Sequence, residues 1–269
     1  MPEDQSELSG LLKKVREFKC YTKATLERRS GWVITRRLQR PADQPWPDNG
    51  NSGYLEVLPT FGGQTFVDLI AAGVEQGRKM SLLNIGCGAG LALLDLRERF
   101  SPDQLEIVGL GNRRDTEKPL DDIARDVSRK STAGDLEKAK IRFIYGNFVN
   151  SREILGSRSY DIITAVACLD WIPYPGFALF KKVWRLLKGK GVAFVAPFNL
   201  RLIEPGKKET TSFFRFLKEK GLEVEGNRGG VAFRKTQPNI PNIFASTLGL
   251  ASTDGVILRK GNPGEGAER

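Results

Sequence analysis

The sequence predicts an α/β protein: a doubly wound, mostly parallel sheet with helices on both faces. Three observations lead there. Short strands, apolar on both faces, alternate with helices from about residue 65. The first of these strands ends in a glycine-rich turn that opens a helix. The chain has 269 residues, 40% of them apolar and 28% charged, which is a globular composition with ample length for a core.

The elements follow in order. Leu8, Leu11, Leu12, Val15 and Phe18 have helical spacing and predict a basic amphipathic helix. Residues 41–53 (PADQPWPDNGNSG) hold three prolines and two glycines and read as a linker. Residues 81–85 (SLLNI) are a short apolar run ending in glycine, a buried strand, and 91–100 read as the helix after it. Residues 105–110 (LEIVGL) are a second strand. A helical pattern over 115–130 follows, with Leu120, Ile123, Ala124 and Val127 on one face. Residues 141–145, 160–167 and 192–196 are the third, fourth and fifth strands, and 177–187 the helix before the fifth. Residues 211–220 read as a helix, and 222–225, 231–234 and 256–260 as late strands. The organisation is then a basic, partly helical appendage and linker over 1–53, a main domain over 54–260 and a flexible tail over 261–269.

Composition excludes several chemistries. There is no histidine, which removes Ser-His-Asp and Cys-His hydrolases and the commonest zinc ligand. Cys20, Cys87 and Cys168 are far apart and form no CxxC pair, so neither a disulfide framework nor a metal site is expected. The start is acidic, with Glu3, Asp4 and Glu7, and no apolar run reaches bilayer length, so a cytoplasmic protein is expected. Charge is concentrated: residues 11–40 hold ten basic and two acidic residues, +8 of the net +10. That segment reads as a solvated helix face or as a patch for a polyanion such as RNA, with Phe18, Tyr21 and Trp32 available for stacking.

Parallel sheets of this kind bind ligands beyond the carboxyl ends of their strands. The turn Gly86-Cys87-Gly88-Ala89-Gly90 lies at such an end. Glycines let the chain bend sharply and let a ligand approach the backbone, and the helix start that follows favours an anionic group. The spacing is G-x-G-x-G. A dinucleotide fingerprint needs Gly or Ala at position 91, where this chain has Leu91.

The stretch LLNIGCGAGLALLDL resembles the first motif of class I S-adenosylmethionine-dependent methyltransferases. IRFIYGNFVN, SYDIITAVACLDWI, RLLKGKGVAFVAP and FFRFLKEKGLEVE resemble the family's later motifs, in the family's order, over about residues 65–260. The resemblance implies a Rossmann-like, seven-stranded sheet and S-adenosyl-L-methionine as cofactor. It implies that the turn holding Asn84, Gly86, Cys87, Gly88 and Gly90 faces the methionine part. Gly111 and Asn112 would face the ribose, and Asn147 and Phe148 the adenine. The end of the fourth strand, Val166 included, would lie near the sulfonium, with Asp170 and Tyr174 near the methyl acceptor. Asp170 is the expected base and Tyr174 the expected orienting group. Both also fit plain structural roles, as a capping carboxylate and a packed ring.

The departures from the family pattern are specific. Acids are common where this chain has Asn84, Gly111 and Asn147, and a histidine where it has Asp170. Methyl transfer needs alignment and exclusion of water more than a histidine. The expected acceptor is a small molecule, with RNA second through residues 11–40. Two other functions stay open. One is a catalytically inactive member that binds nucleic acid or protein. The other is an NADP-dependent reductase using Arg113 and Arg114 on the cofactor phosphate, although Tyr145, Tyr160 and Tyr174 all lack a lysine four residues on.

Overall fold

Two sheets organise the chain. The computed structural model describes residues 25–29, 32–36, 58–88, 90–111, 133–166, 168–169, 172, 174, 176–196, 200–203, 206, 209–227 and 230–236. The strands are β1 (Thr25–Arg29), β2 (Trp32–Arg36), β3 (Met80–Ile85), β4 (Leu105–Gly111), β5 (Arg142–Tyr145), β6 (Tyr160–Val166), β7 (Leu187–Ala196), β8 (Leu200–Ile203), β9 (Thr210–Ser212), β10 (Val224–Asn227) and β11 (Gly230–Arg234). The helices are α1 (Phe66–Glu75), α2 (Leu91–Arg99), α3 (Ala133–Lys138), α4 (Ser151–Leu155), α5 (Gly176–Leu186) and α6 (Phe213–Glu219). No helix among the described residues is long and apolar enough to cross a membrane.

The main sheet has seven strands in the order β10-β11-β7-β6-β3-β4-β5. β3, β4, β5, β6 and β7 are all parallel, while β11 is antiparallel to both β7 and β10. The fold is therefore the expected Rossmann-like, mostly parallel sheet. From β3 the chain winds outward through β4 to β5, then returns across the sheet to β6. That reversal between β3 and β6 is the switch in strand order where such sheets open a crevice. Beyond β7 the order departs from a dinucleotide-binding sheet. The last strand, β11, inserts antiparallel where a sixth parallel strand would stand.

The sequence specifies these strands by apolarity on both faces. All six residues of β3 are buried, as are all of β4 except Glu106. One face packs against α5 and α6 through Phe177, Phe180, Trp184, Phe213 and Phe233. The other packs around Phe66, Ile70, Leu93, Leu96 and Leu136 from α1, α2 and α3. α1 starts with a capping box in which the Asp68 side chain accepts from Thr65. Those hydrogen bonds hold the Asp68 carboxyl below its ordinary range.

Three expectations are corrected. Residues 210–212 are strand β9, not the start of the 211–220 helix, because the β-branched Thr210 and Thr211 pair with β8. The stretch after α5, expected as a turn, is the first half of β7. The register jumps from Tyr160↔Leu187 to Ile162↔Val192, and Lys190 takes φ 66 in the bulge. The segment after β7, given no element from the sequence, holds β8. β1, β2, β8 and β9 form a second, antiparallel sheet. Its first pair leaves only Ser30 and Gly31 between Arg29 and Trp32, and β2 then pairs with β8. The expected basic helix over 8–18, the helix over 115–130 and the strand over 256–260 lie outside the described residues.

The amino ends of the parallel strands are tied by one carboxylate. Asp161 Oδ2 accepts from the Ser81 amide at 2.9 Å, the Ser81 hydroxyl at 2.7 Å and Lys188 Nζ at 2.7 Å, joining β3, β6 and β7. The Tyr-Asp pair that opens the fourth-strand motif thus acts on the edge away from the glycine turn. Asp161→Ala leaves the Ser81 donors unpaired on a part-buried edge. It should lower stability by about 1–3 kcal/mol, read as a shift in the urea midpoint at unchanged slope.

Candidate functional site

At the carboxyl end of β3 the chain makes its tightest bend. Gly86, Gly88 and Gly90 all take left-handed φ, at 73°, 53° and 80°. The G-x-G-x-G spacing therefore puts a glycine at each position where a side chain would be strained. The Gly86 and Cys87 amides both donate to the Leu110 carbonyl, at 2.8 and 3.2 Å, and the Gly90 amide donates to the Cys87 carbonyl at 2.9 Å. Gly90 is also the N-cap of α2 and offers no side-chain cap, so the first amides of α2 depend on another acceptor.

Cys168 closes the crevice floor from the β6 side. Its thiol is buried and donates to the Ile85 carbonyl at 3.0 Å. A Cβ at Gly86 would stand 2.3 Å from Cys168 Cβ. The Cys87 side chain packs onto β4, its Sγ 2.8 Å from where a Cβ on Gly109 would be and 3.6 Å from one on Gly111. A small residue suits that gap, and neither Cys87 nor Cys168 is in a disulfide.

Asn84 lies two residues below the turn, only 3% exposed. In register it sits between Gly109 of β4 and Thr164 of β6, and the buried Thr164 hydroxyl has no hydrogen-bond partner. An amide enters such a place at lower cost than the carboxylate the family pattern would put there. Gly111 ends β4 and accepts from the Gly146 amide at 2.8 Å. The space above it is taken, since a Cβ on Gly111 would meet Phe143 Cζ at 2.7 Å. Asn147 is exposed and its Oδ1 accepts from the Val149 amide at 2.9 Å, which starts a single 3-10 turn, Phe148–Asn150.

The structure brings Gly86, Cys87, Gly88, Gly90, Gly111 and Asn147 to one edge of the sheet, with Val166 ending β6 on that same edge. Phe148 differs from the expectation. Its ring is 3% exposed and packs into the α5–α6 core with Leu155. Tyr174 is half-buried against that same core, with Lys182 Nζ 5.6 Å from its ring centroid. Burial holds the Lys182 ammonium below its ordinary range, helped by Arg185 and opposed by Glu153. Asn112, Asp170, Arg113 and Arg114 lie outside the described residues. Sequence reasoning missed Gly109, Phe143 and Tyr145. The period-two pairs Gly109/Gly111 and Phe143/Tyr145 were the available signal, because strand residues two apart share a face. Among the described residues no group of histidine, cysteine or carboxylate side chains could hold a metal ion.

No family model and no curated protein matches the chain. Several solved methyltransferases are similar to it in part. A plantazolicin methyltransferase solved with SAH is 16% identical over 55% of this chain and 49% of its own, with a TM-score of 0.36. The chain thus spans about half the length of that protein. An amino pentose methyltransferase from Micromonospora echinaspora, bound to SAM, is 14% identical over 65% of this chain and 93% of its own, with a TM-score of 0.39. A protein described as a sarcosine dimethylglycine methyltransferase, from Galdieria sulphuraria, is 16% identical over 65% of this chain and 86% of its own, with a TM-score of 0.38. Likenesses of this size carry no argument about activity, which rests on the site itself.

The crowding at the turn gives a direct test. Gly86→Ala adds left-handed strain and a collision with Cys168, so it should cost at least about 2 kcal/mol in urea denaturation. Adding Cys168→Gly should recover only part of that, because the φ of 73° remains.

Proposed function

We propose that the protein is an S-adenosylmethionine-dependent methyltransferase of the cytoplasm. The observation that carries this reading is the β3–α2 turn, with three left-handed glycines and an uncapped helix start at the switch in strand order. The sequence motifs resembling the family fall in order around it. Leu91 and the antiparallel β11 argue against a dinucleotide-binding reductase.

The residues fit the cofactor. The Gly88 amide and the first amides of α2, at Leu91 and Ala92, would take its carboxylate, and Asn84 would support the turn from below. Gly111 and Asn112 would border the ribose, Asn147 and the backbone at Phe148 the adenine, and Val166 the reacting sulfur. When bound, the cofactor supplies a methyl group on a sulfonium, already a good leaving group. This chain's part is to hold the acceptor in line and keep water out. Asp170 would take the acceptor's proton, and Tyr174 would orient the acceptor.

A small molecule is the favoured acceptor. RNA comes second, on the +8 charge of residues 11–40. One observation favours a second reading. Asn84 and Gly111 stand where acids are expected, and Phe143 fills the space above Gly111, as in a catalytically inactive member that binds nucleic acid or protein.

Calorimetry with S-adenosylmethionine, S-adenosylhomocysteine and NADPH tests the reading. The first two should bind at micromolar strength. Gly88→Asp should abolish this, since aspartate tolerates left-handed φ but sets a negative charge against the ligand carboxylate. Absence of binding overturns the activity in favour of the second reading, and binding of NADPH alone overturns both.

A further inference from the structure

We propose that the nucleoside end of this site holds its ligand by stacking the base on the Phe143–Tyr145 aromatic pair, not by a carboxylate on the ribose hydroxyls. The inference rests on the cofactor reading above and concerns the same edge of the sheet.

Four observations carry it. Tyr145 is 47% exposed and is the one exposed large apolar residue among those described. It ends β5 in register with Gly111, so it shares a sheet face and an edge with the end of β4. Its ring lies 4.8 Å from that of Phe143, tilted by 51°, so Phe143 backs the exposed Tyr145 ring at the strand ends. Phe143 in turn fills the space above Gly111, so no carboxylate fits at that position without displacing the ring.

Asn147 supports the same conclusion. Its Oδ1 already accepts from the Val149 amide, which fixes the side chain, and its Nδ2 donor suits a ring nitrogen of the base. Recognition then rests on the π-face, which is worth more than one exposed hydrogen bond and is indifferent to the sugar.

The experiment is S-adenosylhomocysteine binding by calorimetry to the full chain, with Tyr145→Ala, Tyr145→Phe and the 2′-deoxy analogue of the ligand. Tyr145→Ala should weaken binding about tenfold and Tyr145→Phe less than about twofold. The 2′-deoxy analogue should bind within about threefold of the parent, where loss of a charged hydrogen bond would cost more than about tenfold. Unchanged binding by Tyr145→Ala, or a tenfold loss with the 2′-deoxy analogue, overturns this proposal and leaves the cofactor reading standing. Absence of binding by the unsubstituted protein overturns the cofactor reading and this proposal together. Tyr145 is exposed, so its variants should retain the parent melting temperature.

Discussion

The close approach of β3, β4 and β6 at Gly86 is the constraint on which the rest depends. Two successive amides share the Leu110 carbonyl, and the Cys168 thiol reaches the Ile85 carbonyl from the other side. No side chain fits between. With β3 locked to both neighbours at this point, the alternation of faces along all three strands is settled, because a one-residue slip would invert it. The ends of β4, β5 and β6 then come to one edge. The described strand-end residues considered for the ligand derive their position from this junction.

The two edges of the sheet have opposite chemistry. The amino edge carries ion pairs and long cations: Asp161 with Lys188, Glu106 with Arg158, and Glu223 with Arg234. There the buried Lys235 ammonium donates to the Leu187 carbonyl and Arg97 donates to the Phe100 and Leu105 carbonyls. Burial holds both groups below their ordinary pKa range. Among the described residues the carboxyl edge carries glycines, amides, thiols and aromatic rings. Charge fastens the strands at the amino edge, and small or flat groups leave room at the other, where a ligand would lie.

The missing acids follow one physical pattern. At Asn84 the register neighbours are a glycine and a buried threonine hydroxyl, so a buried carboxylate would have little beyond that hydroxyl to offset its desolvation. At Gly111 the space is already occupied by Phe143. At Asn147 the amide oxygen serves as a cap for the next turn. Each of these three residues is matched by its surroundings.

Much was legible from residue order alone. Doubly apolar strands separated by helical runs determined the parallel core, and three glycines at alternate positions determined the turn and its place at a strand end. These are local properties, since burial on both faces and left-handed φ are demands on single residues. The motif resemblance added the cofactor and the expected contacts. Other features waited for the tertiary structure. β11 enters between β7 and β10, and β2 reaches across the chain to β8, because edge strands take whatever unpaired neighbour the packing brings near. The β1–β2 pair, in a segment read from the sequence as a partly helical appendage, was not anticipated, nor was its partner β8. Phe143 and Tyr145 read as ordinary strand residues until the register set them beside Gly111. The sequence determined which backbone could bend and which strands would be buried. Only the fold decided which side chain fills the space a neighbour leaves, because that depends on residues far apart in the chain.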